Sequence, residues 1–318
     1  MAQTFSPDRP MRLGTRRSPL ALAQAEMVKA ALIAAHGWEA DAVELVKLQA
    51  SGDKVQDRAL AEIGGKALWT KELDSCLKDG KIDAAVHSMK DVETIRPANL
   101  VIAAILPRAD ARDRLIGAPS IEALPGQARV GTASPRRAAQ LLSLRPDLNI
   151  QLIRGNVGTR LAKIEAGEAD ATMLAAAGLD RLGMADIGTP IPESVMLPAP
   201  AQGAIGVETL AENEAVRAAL SAIDDQSCHA CVRAERAFLY ALGADCHSPV
   251  AAHAVMKDER IHMRAQILTT DGSEQAHADA LFANADGPAP ASLARDLLGE
   301  ASEKLAALFS GPDGGGAS

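Results

Sequence analysis

The sequence predicts an α/β fold of two similar lobes followed by a smaller α/β domain. Three observations carry that prediction. A strand, a Gly-Thr turn, a Ser-Pro pair and a helix occur in that order twice, about 116 residues apart: once through Gly14-Thr15-Arg16-Arg17-Ser18-Pro19, and again through Gly131-Thr132-Ala133-Ser134-Pro135-Arg136-Arg137. A second echo pairs Lys81 to His87 with Glu168 to Leu174, each a polar turn entering a buried strand. After Gln226 the texture changes to one helix, three strand-like stretches and a closing helix. Alternating strands and helices indicate parallel βαβ units, and two like units indicate two lobes with a cleft between them.

Taken in order, Met11 to Gly14 reads as a short strand, and a helix then runs to about His36. Ser18 suits the N-cap and Pro19 the first helical position, where a missing N–H is harmless. Ser51 to Leu68 is polar, holds three glycines and has no clear period, which suits a mobile lid or a plain surface loop. Cys76 falls on an amphipathic helix as a core residue. Arg129 to Gly131 is the echoed strand, followed by a helix over Ala138 to Leu144. Arg154-Gly155-Asn156-Val157-Gly158-Thr159-Arg160 is a further strand exit feeding a helix. In the last domain a helix over Ala230 to Leu242 ends at Gly243, a residue suited to a helix C-terminus. Strands are expected at Val250 to Met256, Ile261 to Thr269 and Gln275 to Phe282, then a helix over Ala291 to Phe309. Gly311 to Ser318 is expected to be disordered.

Composition narrows the function. The chain has 318 residues, 33 Lys+Arg and 41 Asp+Glu, for a formal net charge of −8. That length allows two or three domains. The acidic balance argues against sequence-independent nucleic-acid binding, which needs a basic face. Aromatics are 2%, too few for base-stacking platforms. No apolar run reaches the roughly 18 residues of a membrane span, and the N-terminal stretch lacks the apolar segment of a secretory signal. Four cysteines are too sparse for a disulfide framework. The expectation is a cytoplasmic protein with free thiols.

Against that acidic background, arginines gather at strand-to-helix junctions: Arg16 and Arg17, Arg136 and Arg137, Arg154 and Arg160. Ligands of open α/β sheets bind beyond the carboxyl ends of strands, where helix N-termini offer unpaired N–H groups. Guanidinium forks there suit several carboxylates or phosphates, each charge-assisted contact contributing about 1.5–3 kcal/mol. Neither the Gly-Thr turns nor RGNVGTR fits a nucleotide-binding glycine pattern. Lys90 and Asp91 follow the buried strand that starts near Ile82. They read either as a structural ion pair or as an anion holder beside a carboxylate that moves a proton. Cys228, His229, Cys231, Cys246 and His247 raise the question of zinc. A second pair at ligand spacing is missing, so no metal is expected. Cys246 lies in a polar turn, where a thiol is either inert or exposed and reactive.

The combination resembles the porphobilinogen deaminase family. The resemblance rests on TRRSPLALAQ (15–24), GGKALWTKEL (64–73), DAAVHSMKDV (83–92), VGTASPRR (130–137), RGNVGTRLAK (154–163), LAAAGLDRLG (174–183), AQGAIG (201–206) and the Cys246 turn, spread over nearly the whole chain. It implies two lobes like those of periplasmic binding proteins, joined by a hinge crossover, plus a smaller C-terminal α/β domain. The implied lobes are 1–106 with 203–223, and 107–202. A cofactor-anchoring domain over 224–310 and a tail over 311–318 follow.

It also implies a dipyrromethane cofactor attached to Cys246 as a thioether, and stepwise condensation of four porphobilinogen units into hydroxymethylbilane with loss of ammonia. Asp91 is the implied catalytic carboxylate, stabilising the azafulvene cation left by ammonia, with Lys90 beside it. Lys90, Ser88, Thr132, Ser134, Arg136, Arg137, Arg154 and Asn156 are implied as cofactor contacts. Arg16, Ser18, Arg154, Arg160, Arg181 and Gln202 are implied as substrate contacts, and Lys66 and Trp69 as lid residues. The partner is the small molecule porphobilinogen, with no nucleic acid and no membrane, and the expected state is a monomer. Several positions depart from the family pattern. Ala133 and Pro135 replace Ser and Leu, Trp69 replaces Phe, Ala201 precedes Gln202 where glycine is usual, and Gly243-Ala244-Asp245 replaces a double glycine. Altered lid packing or substrate affinity is the expected consequence. The alternative reading is a two-lobed, non-catalytic anion-binding protein.

Overall fold

The computed structural model describes residues 5–48, 67–245, 247–309 and 311. In chain order, β1 (Met11–Arg16), α1 (Pro19–His36), β2 (Val43–Leu48), α2 (Ala67–Lys78), β3 (Ala84–Ser88) and β4 (Leu100–Ile105) come first. Next come β5 (Asp113–Ile116), β6 (Arg129–Gly131), α3 (Pro135–Leu144), β7 (Asn149–Gln151), α4 (Val157–Glu165), β8 (Ala171–Ala175), α5 (Ala176–Arg181) and β9 (Thr189–Pro190). The chain continues through β10 (Ile205–Leu210), α6 (Glu214–Ser221), α7 (Gln226–Leu242), β11 (Val250–Lys257), β12 (Arg260–Leu268), β13 (Gln275–Phe282), α8 (Ala289–Glu300) and α9 (Glu303–Ala306).

Two compact units divide these elements: residues 1–109 with 204–229, and residues 110–203 with 230–318. The first holds a five-stranded sheet in the order β2-β1-β3-β10-β4, and the second a sheet in the order β7-β6-β8-β5-β9. The two orders are the same arrangement. In each, three parallel strands are followed by one that runs antiparallel, β10 against β3 and β5 against β8. Each antiparallel strand is the first strand after the chain passes from one unit to the other. The expected α/β class, two like lobes plus a smaller α/β domain, is therefore present. Parallel neighbours need a crossover helix, which α1 and α3 provide.

In the first unit Met11, Leu13, Val28, Leu32, Val86, Val207 and Leu220 pack on one side of the sheet, while Leu73, Leu77, Ile82 and Ala85 pack beneath α2 on the other. Leu115, Val130, Leu141 and Met173 centre the second sheet. The C-terminal residues add an antiparallel sheet, β11-β12-β13, whose core of Phe238, Val250, Met263, Ile267 and Leu297 lies against α7 and α8. This sheet belongs to the same unit as β5–β9. Gly272 there comes so near the carbonyl of Ala139 that a Cβ would lie 2.4 Å from it.

Several expected elements differ in extent. Helix α3 starts at Pro135 rather than Ala138, because Ser134 caps it: its Oγ accepts from Arg137 N at 3.4 Å. Helix α7 starts at Gln226 rather than Ala230. The single closing helix expected over Ala291 to Phe309 is two helices. Ala301 is extended, and Ser302 caps a new start by accepting from Leu305 N at 3.1 Å. Cys76 lies on α2, partly buried against the core, as expected. The segment expected as a lid lies outside the described residues up to Lys66, and so does the tail beyond Gly311. Gly243 takes φ +65° and ends α7, as a left-handed glycine should.

Candidate functional site

In the first unit the polar residues collect at the carboxyl ends of β1 and β3. Arg16 closes β1, and Ser18 caps α1 by accepting from Ala21 N at 3.3 Å. Ser88 closes β3, and its hydroxyl meets the Gln24 amide, 2.7 Å from Nε2 and 2.9 Å from Oε1. A 3-10 turn, Met89–Asp91, follows directly and carries Lys90 and Asp91, both half-buried. That turn sits close on β10: a Cβ at Gly206 would meet Met89 Sδ at 2.1 Å, so the glycine makes room for it. Arg16, Ser18, Gln24, His87, Ser88 and Asp91 line one pocket. Sequence reasoning named Arg16, Ser18, Ser88 and Asp91 individually; the fold brings them together.

Behind that pocket lies a buried charge network that sequence reasoning missed. Arg96 Nε and Nη2 donate to both oxygens of Glu208 at 2.9 and 2.7 Å, Nη1 donates to Glu93 at 2.7 Å, and Nη2 reaches Asp74 at 2.5 Å. His87 Nε2 lies 3.2 Å from Glu208, within ion-pair reach though not aligned as a hydrogen bond. Burial raises the Glu208 carboxyl most strongly, yet His87 and Arg96 together overcome it and leave the group lowered to about 2. Asp74 is raised, because burial outweighs its share of Arg96. The network ties both sides of the Lys90–Asp91 turn to α2 and β10. Two of its three acids, Asp74 and Glu208, lie 22 and 112 positions from Arg96, so no local motif announces the network.

In the second unit the Thr132 hydroxyl accepts from Ser134 N at 3.1 Å, and Ser134 caps α3. Asn156 caps α4 with Oδ1, accepting from Thr159 N at 2.9 Å. The polar groups of these three residues thus serve the local fold in the first place. Arg136 and Arg137 are not surface forks: they are 3% and 5% exposed. Both donate to Asp113, Arg136 Nη1 at 2.8 Å and Arg137 Nη2 at 2.7 Å, and to the carbonyls of Leu197 and Met173. Burial acts most strongly on Asp113 and raises it, but the two guanidiniums prevail and hold the carboxyl well below the usual range. Burial pushes the Arg136 guanidinium down. Gln202, expected to touch substrate, is 1% exposed and donates to Ala111 O at 2.7 Å and Asp113 at 2.8 Å.

Arg154 precedes α4 and keeps a buried Nη1 with no hydrogen-bond partner among the described residues. Arg160 Nε donates to Gly155 O at 3.0 Å. Arg181, at the end of α5, donates from Nη2 to Gly203 O at 2.6 Å, while its Nε is buried with no hydrogen-bond partner among the described residues. Its neighbour Asp180 pairs with Arg114 at 2.9 Å. Burial therefore pushes Arg181 down to about 10. Lys66 and Cys246 lie outside the described residues, and only the backbone of Trp69 is placed, in α2.

The second unit thus holds more buried guanidinium than carboxylate, with nitrogens at Arg154 and Arg181 that have no hydrogen-bond partner among the described residues. Such a set fits a ligand carrying several carboxylates. No described helix is long and apolar enough to cross a membrane.

Residues 11–218 match the family described as porphobilinogen deaminase, dipyromethane cofactor binding domain, and residues 229–301 match its C-terminal domain. A porphobilinogen deaminase of Sphingopyxis alaskensis is 54% identical over 97% of this chain and 99% of its own. One from Paracoccus denitrificans is 48% identical over 95% of this chain and 97% of its own. Among solved structures, a periplasmic substrate-binding protein of an ABC transporter from Coxiella burnetii is 14% identical with a TM-score of 0.40, covering 67% of this chain and 91% of that one.

Proposed function

This chain belongs to the porphobilinogen deaminase family, and we infer that it condenses four porphobilinogen molecules into hydroxymethylbilane with release of ammonia. Cys246 is assigned as the thioether anchor of the dipyrromethane. The bound group supplies a nucleophilic pyrrole carbon to which new units are joined. Covalent attachment keeps successive products from diffusing away between additions.

Porphobilinogen carries an acetate and a propionate, so each added ring brings two carboxylates. Arg154, Arg160 and Arg181 of the second unit are assigned to them, and Arg136 and Arg137 present what remains of their charge after Asp113. Thr132, Ser134 and Asn156 bring helix N-termini, whose N–H groups favour anions. In the first unit Arg16, Ser18, Ser88 and Lys90 hold carboxylates around Asp91.

Asp91 carries the proton chemistry. Departure of ammonia from the protonated aminomethyl group takes the C–N electron pair and leaves a positive charge on the substrate pyrrole. A carboxylate facing that pyrrole N–H stabilises the charge. It then accepts the ring proton displaced when the new carbon–carbon bond forms. Lys66 and Trp69 are assigned to the lid, residues 224–310 to the anchoring domain, and the chain is read as a cytoplasmic monomer.

One observation carries the assignment of Asp91: it lines the same pocket as Arg16, Ser18 and Ser88. Asp91→Ala should nearly abolish turnover of porphobilinogen while circular dichroism keeps the parent signal. A folded Asp91→Ala protein that polymerises at the parent rate refutes the assignment.

A further inference from the structure

We propose that Asp113 is the positioning residue that sets the Arg136–Arg137 pair for the carboxylates of the pyrrole chain, braced by Gln202. The proposal rests on the functional reading above and concerns how one part of that site is held. Asp113 is 3% exposed at the start of β5 and takes three donors: Arg136 Nη1 at 2.8 Å, Arg137 Nη2 at 2.7 Å and Gln202 Nε2 at 2.8 Å. Those donors come from the first turn of α3 and from the stretch just before β10, so one carboxylate joins three separate segments. Gln202 is itself fixed by Ala111 O. The residue before it, Ala201, donates its N–H to the buried carboxylate of Glu235 at 2.5 Å.

The charge count separates this arrangement from an ordinary structural ion pair. One buried carboxylate faces two buried guanidiniums, which leaves one positive charge in excess. Among the described residues, the Nε atoms of both arginines are buried without a hydrogen-bond partner. A buried charge is costly unless something completes it. Buried triads of two arginines on one acid also occur as purely structural elements, and the test below separates the two. Two arginines sharing one acid are held in fixed orientation while keeping charge for an outside anion. Asp113 thus spends its two oxygens on orientation, and the surplus charge goes to the ligand.

The test follows cofactor assembly rather than turnover. Full-length chain made in cells unable to form porphobilinogen is mixed with porphobilinogen, and intact mass is read over time. The parent gains two linked pyrrole units. Asp113→Asn, shown to be folded by circular dichroism, should gain them about tenfold more slowly or worse, since small misplacements of binding groups are expensive. Gln202→Met keeps the volume and both ion pairs, and should slow assembly about threefold in protein whose circular dichroism spectrum matches that of the parent. Assembly at the parent rate in folded Asp113→Asn overturns the proposal. If that variant does not fold, assembly at the parent rate in Gln202→Met overturns it instead. A parent chain that never gains the pyrroles refutes the functional reading, a result distinct from either.

Discussion

Substituting Glu208 by Gln tests the buried network behind Asp91 most sharply, because its sign and size both follow from the structure. Glu208 is fully buried on β10, held by two hydrogen bonds from Arg96 and faced by His87. Its carboxyl is lowered from 4.5 to about 2. Each tenfold change in proton affinity is worth about 1.4 kcal/mol, so ionisation of this one group stabilises the fold by about 3 kcal/mol. That agrees with the roughly 3–5 kcal/mol lost when one partner of a buried pair is removed. The folded value lies below the unfolded one, so the contribution is complete above about pH 4.5 and disappears as pH falls toward about 2. Urea unfolding followed by circular dichroism should show Glu208→Gln less stable than the parent by about 3 kcal/mol near neutral pH, with the slope against urea unchanged. The gap should narrow steadily below about pH 4.5. A gap that does not vary with pH, or no gap near neutrality, would show that Glu208 is not held ionised by Arg96.

Two further outcomes follow from single residues. Arg181 carries a half-buried charge that donates to one carbonyl and feels Asp180, so Arg181→Met should leave stability within about 1 kcal/mol of the parent in the same urea assay while raising KM for porphobilinogen. A greater loss of stability together with parent kinetics would contradict this. Ala201 holds φ +59°, in the left-handed region that costs a residue with a Cβ about 1 kcal/mol. Ala201→Gly should therefore raise the unfolding free energy by a few tenths to about 1 kcal/mol, the gain being trimmed by the greater freedom of unfolded glycine. A loss of more than about 1 kcal/mol would show that the strain is absent.

What could be read from the sequence was what local chemistry dictates. Ser18-Pro19 announces a helix start because a cap acts within four residues, and α1 begins there; Ser134-Pro135 carries the same signal, and α3 begins there, three residues before the expected Ala138. The junction arginines stood out because guanidinium at a strand exit is unusual in an acidic chain. Their fate was not legible. The acid that binds Arg136 and Arg137 lies on β5, more than 20 residues earlier, in a run that offers no period or motif. The same holds for Arg96, whose partner Glu208 is 112 positions away. Gln202 was singled out, but its burial and its hydrogen bond to Asp113, 89 positions away, had no local signal. The break at Ala301–Ser302 was missed because the alanine- and leucine-rich pattern continues across it. The serine cap before Glu303 was the available signal.

On the reading proposed above, the Cys246 sulfur carries a pyrrole pair on which the chain builds. Intact-mass measurement of protein freshly purified from porphobilinogen-making cells tests it directly. The parent should be heavier than its sequence by two linked pyrrole units, and Cys246→Ser should have the bare mass and no activity. A bare parent chain that forms hydroxymethylbilane at full rate would contradict the account.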